Sequence, residues 1–255
     1  MAAAGLEANA ASPVGYNKRW LRSVPVHVVT VDLNDPNISV SPAMARHGVG
    51  TSEGFGSMLS RLRPAAAITG TFFCVKRLFP VGDIVVDDRL VYAGSVGTGV
   101  CFTPDNSVVF KPLRGRSKTD WSGYPNVICT GPRLLTDSKV TLYPRGEGFR
   151  DRALYRKAHR SALGVTKHKK LLLVTVNRPI YLSKLAHIMR ELGAVDAVNL
   201  DGGSSTALHY QGKTFSHPNR RLTNLIVIYA NQDRFAKIKP QLAPTPIVAS
   251  KDSRS

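Results

Sequence analysis

Acidic side chains are scarce in this 255-residue chain: 17 Asp and Glu stand against 35 Lys and Arg, a formal net charge of +18. That deficit points to a polyanionic partner, a phosphate-bearing substrate or an anionic surface, without choosing among them. Cysteine is nearly absent. Cys74, Cys101 and Cys129 form no CxxC or Cys/His spacing, which argues against a zinc site, and an odd count permits at most one bridge. No apolar run reaches the roughly 18 residues that a membrane span needs. Residues 1–13 lack the basic end and apolar segment of a signal peptide, which leaves the compartment open. HExxH, GxSxG and GxxxxGK[ST] are all missing, which removes zinc hydrolysis, the common serine-hydrolase elbow and P-loop nucleotide binding. No cofactor is implied, although a divalent metal stays open. Nor is there a repeat of 20–50 residues.

What is present is ordinary globular material. Hydrophobic residues make up 43% and charged residues 20%, so a packed core is expected and wholesale disorder is excluded. The positive charge is unevenly placed. Residues 101–170 carry 15 basic and 5 acidic side chains, whereas residues 66–100 carry three of each. Such a stretch reads as a solvated basic face or as an attractor for anionic cell-surface polymers. Nucleic-acid binding is disfavoured, because no recognisable motif with interleaved aromatics accompanies the charge.

Strands and helices mix along the chain. VPVHVVTV, from Val24 to Val31, alternates like a half-buried strand. Thr51 and Ser52 are placed to cap a short helix bearing Phe55, Met58, Leu59 and Leu62, which Pro64 ends. Ala65 to Ile68 reads as a buried strand. Leu171 to Val176 is another, followed by a helix that Ser183 would cap, with Leu185, Ile188, Met189 and Leu192 on one face. Gly193 stands where a left-handed helix end is wanted. Ala197 to Leu200 then forms the next strand, and Asn224 to Ala230 a last one. Strand, helix, strand with short loops implies a crossover connection. The expected class is α/β to α+β: a mixed, twisted β-sheet flanked by helices, with a C-terminal strand–helix–strand unit. One domain is expected over residues 21–235, between a flexible 1–20 segment and a basic, disordered 236–255 tail.

The strongest local signal is Asp201-Gly202-Gly203-Ser204-Ser205, a carboxylate at a strand end followed by two glycines and two hydroxyls. Glycines permit close backbone approach and positive φ, and successive N–H groups can form an anion-binding nest. The bland alternative is a tight turn with a capping Asp. Thr69-Gly70-Thr71-Phe72-Phe73 is a second strand-end turn, whose aromatics could stack on a sugar or fill the core. Arg160, ahead of Ser161-Ala162-Leu163-Gly164, could clamp a phosphate bidentately or be one more surface cation. Arg133, on the Gly131-Pro132-Arg133 turn, is a weaker candidate of the same kind.

The order of the segments is more telling than any one of them. ITGTFF, PVGDIVVDDRLV, CTGPRLL, HRSALGVTKHKKLLLVTV and LSKLAHIMRELGAVDAVNLDGGSST succeed one another as they do in the phosphodiester glycosidase family, which the chain resembles from about Ala65 to Ala230. The resemblance places that family's turn on Thr69, Gly70, Phe72 and Phe73, its arginine on Arg160, and its LDGGxS on Leu200 to Ser205. Two departures stand out: Thr69 replaces an asparagine, and Asn177-Arg178 replaces an Asp-Gly. The activity implied is hydrolysis of the anomeric bond of a sugar-1-phosphodiester. Asp201 would be nucleophile or general base, and Arg160 with the Gly202 and Gly203 amides would bind phosphate. Thr69, Gly70, Phe72, Arg133, Asn199 and Ser205 complete the expected substrate-binding set. The resemblance also favours an extracytoplasmic setting. A non-catalytic binding module for anionic glycans is the alternative.

Overall fold

Short segments rich in Val, Ile and Thr favour strands over helices, because branching at Cβ restricts side-chain rotation in a helix and suits a pleated sheet. The computed structural model describes residues 12–113 and 119–244. Among these the strands form three sheets, of seven, five and five strands, joined by three α-helices: α1 (Phe55–Leu62), α2 (Leu182–Glu191) and α3 (Gln232–Ile238). Every paired neighbour is antiparallel, which puts the fold at the α+β end of the expected range. Among the described residues no helix is long and apolar enough to cross a membrane.

The seven-stranded sheet is the centre of the molecule. Its Lys170–Ile180 strand sends Leu171 and Leu173 into one core and Leu172, Val174 and Val176 into another. Burial on both faces is why this segment reads as a continuous apolar run rather than as an alternation. α2 covers one face through Leu182, Leu185, Ala186, Ile188 and Met189. The two five-stranded sheets close the other face, supplying Ile68, Leu225, Ile226, Ile84, Val100 and Ile128 to the shared core. The strand–helix–strand unit is present, and its two strands run parallel. They are not neighbours: Ala158–Thr166 lies between Lys170–Ile180 and Ala194–Asn199 and pairs antiparallel with both.

Several expectations need correction. The segment expected to be a flexible 1–20 terminus holds all but the last residue of the Val14–Leu21 strand, which pairs along its whole length with Val24–Asp32. It escaped notice because it is an edge strand with exposed polar residues, and because Arg22 and Ser23 make the hairpin turn at φ 49° and 60° without Asn or Gly. At the other end, residues 236–244 are not a frayed tail. The Leu242 carbonyl accepts from the Met44 amide at 2.6 Å, and Leu242 and Ala243 are buried. The rest of both segments, 1–11 and 245–255, lies outside the described residues. Neither predicted cap forms. Thr51 donates its hydroxyl to the Gly48 carbonyl, and Ser183 lies inside α2.

The start of α1 is secured differently, by Glu53. This buried carboxylate accepts from the Arg46 amide at 2.8 Å, from Ser57 Oγ at 2.7 Å and from Arg61 Nη2 at 2.6 Å. Removing one partner of a buried ion pair leaves the other uncompensated, which typically costs about 3–5 kcal/mol. Glu53→Ala is expected to lower the unfolding free energy by about that much, read from the shift in urea midpoint. A loss below about 1 kcal/mol would show that Arg61 finds adequate compensation elsewhere.

Candidate active site

All three sheets send a strand to Asp201. Its amide donates to the Gly70 carbonyl at 3.0 Å, just past the Ala66–Thr69 strand, and the preceding Leu200 amide donates to the Ser161 carbonyl at 2.9 Å. The Thr130 hydroxyl, at the end of the Asn126–Thr130 strand, donates to the Asn199 carbonyl at 3.1 Å. Close approach dictates glycine at two of these points. A Cβ on Gly70 would lie 2.0 Å from Asn224 Oδ1, and one on Gly202 would lie 2.7 Å from the His159 carbonyl oxygen. Asn224 holds the Gly70 turn by accepting from the Thr71 amide at 2.7 Å and donating to the Thr71 carbonyl at 3.2 Å. Gly203 has φ +59°, the left-handed region that favours glycine.

Asp201 is 8% exposed and takes part in none of the ion pairs found among the described residues. Burial pushes its pKa up to about 6, with the nearby Ser205 hydroxyl, the Gly202 amide and the charge of Arg220 acting in the opposite direction. Four other buried side-chain atoms around this junction have no hydrogen-bond partner: Thr71 Oγ1, Ser161 Oγ, Asn199 Oδ1 and Thr206 Oγ1. Each sits on a segment that bonds to the Asn199–Asp201 stretch or continues it. An unsatisfied buried polar group costs roughly 1–3 kcal/mol. These atoms are fully buried behind the Asn199–Asp201 junction.

Asp201 opens onto a cavity of about 420 Å³, walled by Phe72, Phe73, Phe149, Arg160, Gly202 and Arg220. Phe72 packs against Phe149 with ring centroids 6.0 Å apart. Arg220 is aimed by two contacts, Nε donating to Ser204 Oγ at 2.6 Å and the guanidinium lying 5.9 Å from the Phe73 ring centre. A second cavity of about 430 Å³, beside Phe102 and α3, differs in kind: its polar groups pair with one another, as in Lys239 with Asp87 and Ser39 with Gln232. Among the described residues no three His, Cys, Asp or Glu side chains are grouped as metal ligands would be.

Measured against the expected set, Phe72, Arg160, Asp201, Gly202 and Gly203 line the cavity, while Gly70 and the buried Thr69, Asn199 and Ser205 support it from behind. Arg133 lies elsewhere. Its guanidinium is engaged by Asp196, by the Leu135 carbonyl and by the face of Phe110. What Arg133 brings to the site is its amide, which donates to both Glu147 oxygens at 2.9 and 3.0 Å and so ties down the loop carrying Phe149. Arg160 lines the cavity but does not offer it an open fork. It is 3% exposed, with Nε donating to the Ile180 carbonyl at 3.2 Å and Nη2 to those of Leu154 and Arg156 at 2.9 and 2.6 Å. The Gly202 amide donates to Asp201 Oδ1 at 2.8 Å rather than outward. Phe149 and Arg220 went unrecognised in the sequence, since a loop and a lone arginine far from the glycine turn carry no local signal.

The site thus joins a buried carboxyl at a strand end to a cavity walled by aromatic rings and by Arg220. The sequence pattern of the phosphodiester glycosidase family matches residues 63–229, and the chain belongs to that family. No curated protein matches the sequence. Among solved structures, a hypothetical protein from Synechocystis superposes with a TM-score of 0.76 at 18% identity, covering 86% of this chain and 62% of its own. This chain therefore spans less than two thirds of that protein. The catalytic domain of zebrafish N-acetylglucosamine-1-phosphodiester α-N-acetylglucosaminidase, auto-inhibited by its pro-peptide, superposes with a TM-score of 0.69 at 20% identity, covering 89% of this chain and 87% of its own. At these identities the likeness is one of fold.

Burial of Asp201 makes a thermodynamic prediction. A carboxyl with a raised native pKa binds more protons folded than unfolded, so stability falls as pH rises between its ordinary 3.8 and about 6. A shift of this size corresponds to at most about 3 kcal/mol at neutral pH. Asp201→Asn should therefore raise the unfolding free energy at pH 7 by about 1–3 kcal/mol and flatten the pH dependence in that window, as read by urea denaturation at pH 4.5 and 7. A destabilised Asn variant would mean that the carboxylate's hydrogen bonds outweigh its desolvation.

Proposed function

We propose that this protein hydrolyses the bond between the anomeric carbon of a sugar and a phosphodiester, releasing free sugar and a phosphomonoester. The observation that carries this reading is Asp201 itself, a buried carboxyl with its pKa raised to about 6, sharing a cavity with Arg160 and Arg220. The chemistry matches in kind. A departing phosphomonoester has a second pKa near 6, so it leaves with little protonation and needs positive charge where its own charge develops. A single useful carboxylate then suffices, unlike the acid-and-base pair of most glycosidases. Asp201 acts as nucleophile or as the base that activates water, Arg220 faces the phosphate while Arg160 fixes the wall beside it, and Phe72, Phe73 and Phe149 accept the apolar face of the sugar.

A second reading, a non-catalytic binding module for anionic glycans, draws support from Arg160. Most of its guanidinium is occupied by backbone carbonyls, which weakens it as a phosphate clamp. Release of reducing sugar from a panel of sugar-1-phosphodiesters, with and without chelator, separates the two readings. For the enzyme, kcat/KM should climb as pH rises through about 6, because the nucleophile or base must be ionised. Asp201→Asn should lower kcat by about a hundredfold or more with an unchanged circular dichroism spectrum. Binding without turnover in the wild type would leave the module. A rate that falls as pH rises through about 6 would make Asp201 an acid instead.

A further inference from the structure

We propose that the surface beside the cavity mouth, built from Tyr155, Tyr181 and the cations around them, holds the continuing chain of a polymeric glycan whose units are joined by phosphodiesters. The inference rests on the sugar-phosphate reading of the cavity and extends it from a single linkage to a chain.

The two tyrosines are 40% and 50% exposed, and each carries a cation. Arg145 lies 5.9 Å from the centre of the Tyr155 ring, and Lys157 Nζ lies 5.4 Å from that of Tyr181. Both pairs adjoin the cavity wall. The Tyr155 hydroxyl donates to the carbonyl of Phe149 at 3.0 Å, and Tyr181 follows Ile180, whose carbonyl receives Arg160. The surface therefore adjoins the segments that form the cavity wall, which include Arg150, Ala153 and Leu154.

Its charge is uncompensated. Arg145, Arg150, Arg152, Arg156 and Lys157 stand within thirteen residues of one another, and none forms an ion pair among the described residues. The two acids in this stretch are turned to backbone amides, Glu147 to that of Arg133 and Asp151 to that of Ala153. Exposed cations held beside flat aromatic faces match a ligand that alternates phosphate and sugar ring: the cations attract the phosphates, and the rings stack on the less polar faces of the sugars.

The test uses Asp201→Asn protein, which should not turn over its ligand, titrated calorimetrically with synthetic phosphodiester-linked glycans of one, four and eight repeats. The dissociation constant should fall at least tenfold from one repeat to four, with the gain shrinking at high salt. The triple variant Arg145→Ser, Lys157→Ser, Tyr181→Ser should lose that gain and keep the one-repeat affinity, with its circular dichroism unchanged. Affinity independent of length would overturn the proposal. So would a single-stranded DNA of equal charge that binds as tightly and weakens equally in the triple variant, since the surface would then read only a polyanion or a nucleic acid. Turnover by the wild type is scored separately. Length-dependent binding without cleavage of any sugar-1-phosphodiester keeps this surface and removes the catalytic reading. Cleavage without length dependence removes the surface and keeps the enzyme.

Discussion

A carboxyl group is held out of water where three sheets meet, and much of the surrounding architecture exists to make that possible. The Asn199–Asp201 stretch leaves its own strand and gives its backbone groups to Gly70, Ser161, Pro132 and Thr130, drawn from all three sheets. Peptide groups buried at such a junction are tolerable only when every one is paired, and here neighbouring strand ends provide the pairing. Asn224 extends the same logic by presenting an amide as if it were another peptide, bridging both backbone atoms of Thr71. With the backbone satisfied, burial pushes the carboxyl itself toward neutrality. Local instability of this sort is characteristic of sites that act on something else.

Arg160 and Arg133 show how a residue can matter to a site without facing its ligand. Arg160 is buried and stitches together Leu154, Arg156 and Ile180, which fixes the segment forming one wall of the cavity. Burial lowers its pKa to about 10, yet it stays charged at neutral pH, and its carbonyl partners offset part of the desolvation. Arg133 works through its amide, which anchors Glu147 and thereby the loop bearing Phe149. Both arginines act mainly as scaffold, while Arg220, outside every glycine motif, reaches the cavity.

The scarcity of acid acquires a geometry in the folded chain. Most of the ion pairs join cations to acids on the strands and loops of the sheets, such as Lys170 to Asp32 and Lys169 to Asp105. What looked in the sequence like one basic block from 101 to 170 is therefore divided. Its end at 167–170 is partly neutralised, Arg133 and Arg160 are turned inward, and Arg145, Arg150, Arg152, Arg156 and Lys157, none in an ion pair among the described residues, lie together beside the cavity. Net charge belongs to composition. The field at the cavity mouth belongs to the pairing.

Much was legible from residues alone, for a physical reason: periodic burial leaves a local trace. The buried strands at 66–69, 170–180 and 224–229, the apolar faces of α1 and α2, Gly193 at a helix end, and the Asp-Gly-Gly turn all follow from patterns a few residues long. The Val14–Leu21 edge strand left no such trace, because one side of it faces water and its turn uses Arg22 and Ser23 at positive φ. The side-chain caps failed because a buried Glu53 network, assembled from residues 46 to 61, took their place at α1. The site divides in the same way. Sequence order alone marked Asp201, Gly202, Gly203 and Phe72, but which arginine meets the ligand depends on where carbonyls lie in space. Only the tertiary structure brought Ile180 to Arg160, Asp196 to Arg133, and Ser204 to Arg220, since these partners lie 16 to 63 residues away along the chain, where no local pattern reaches.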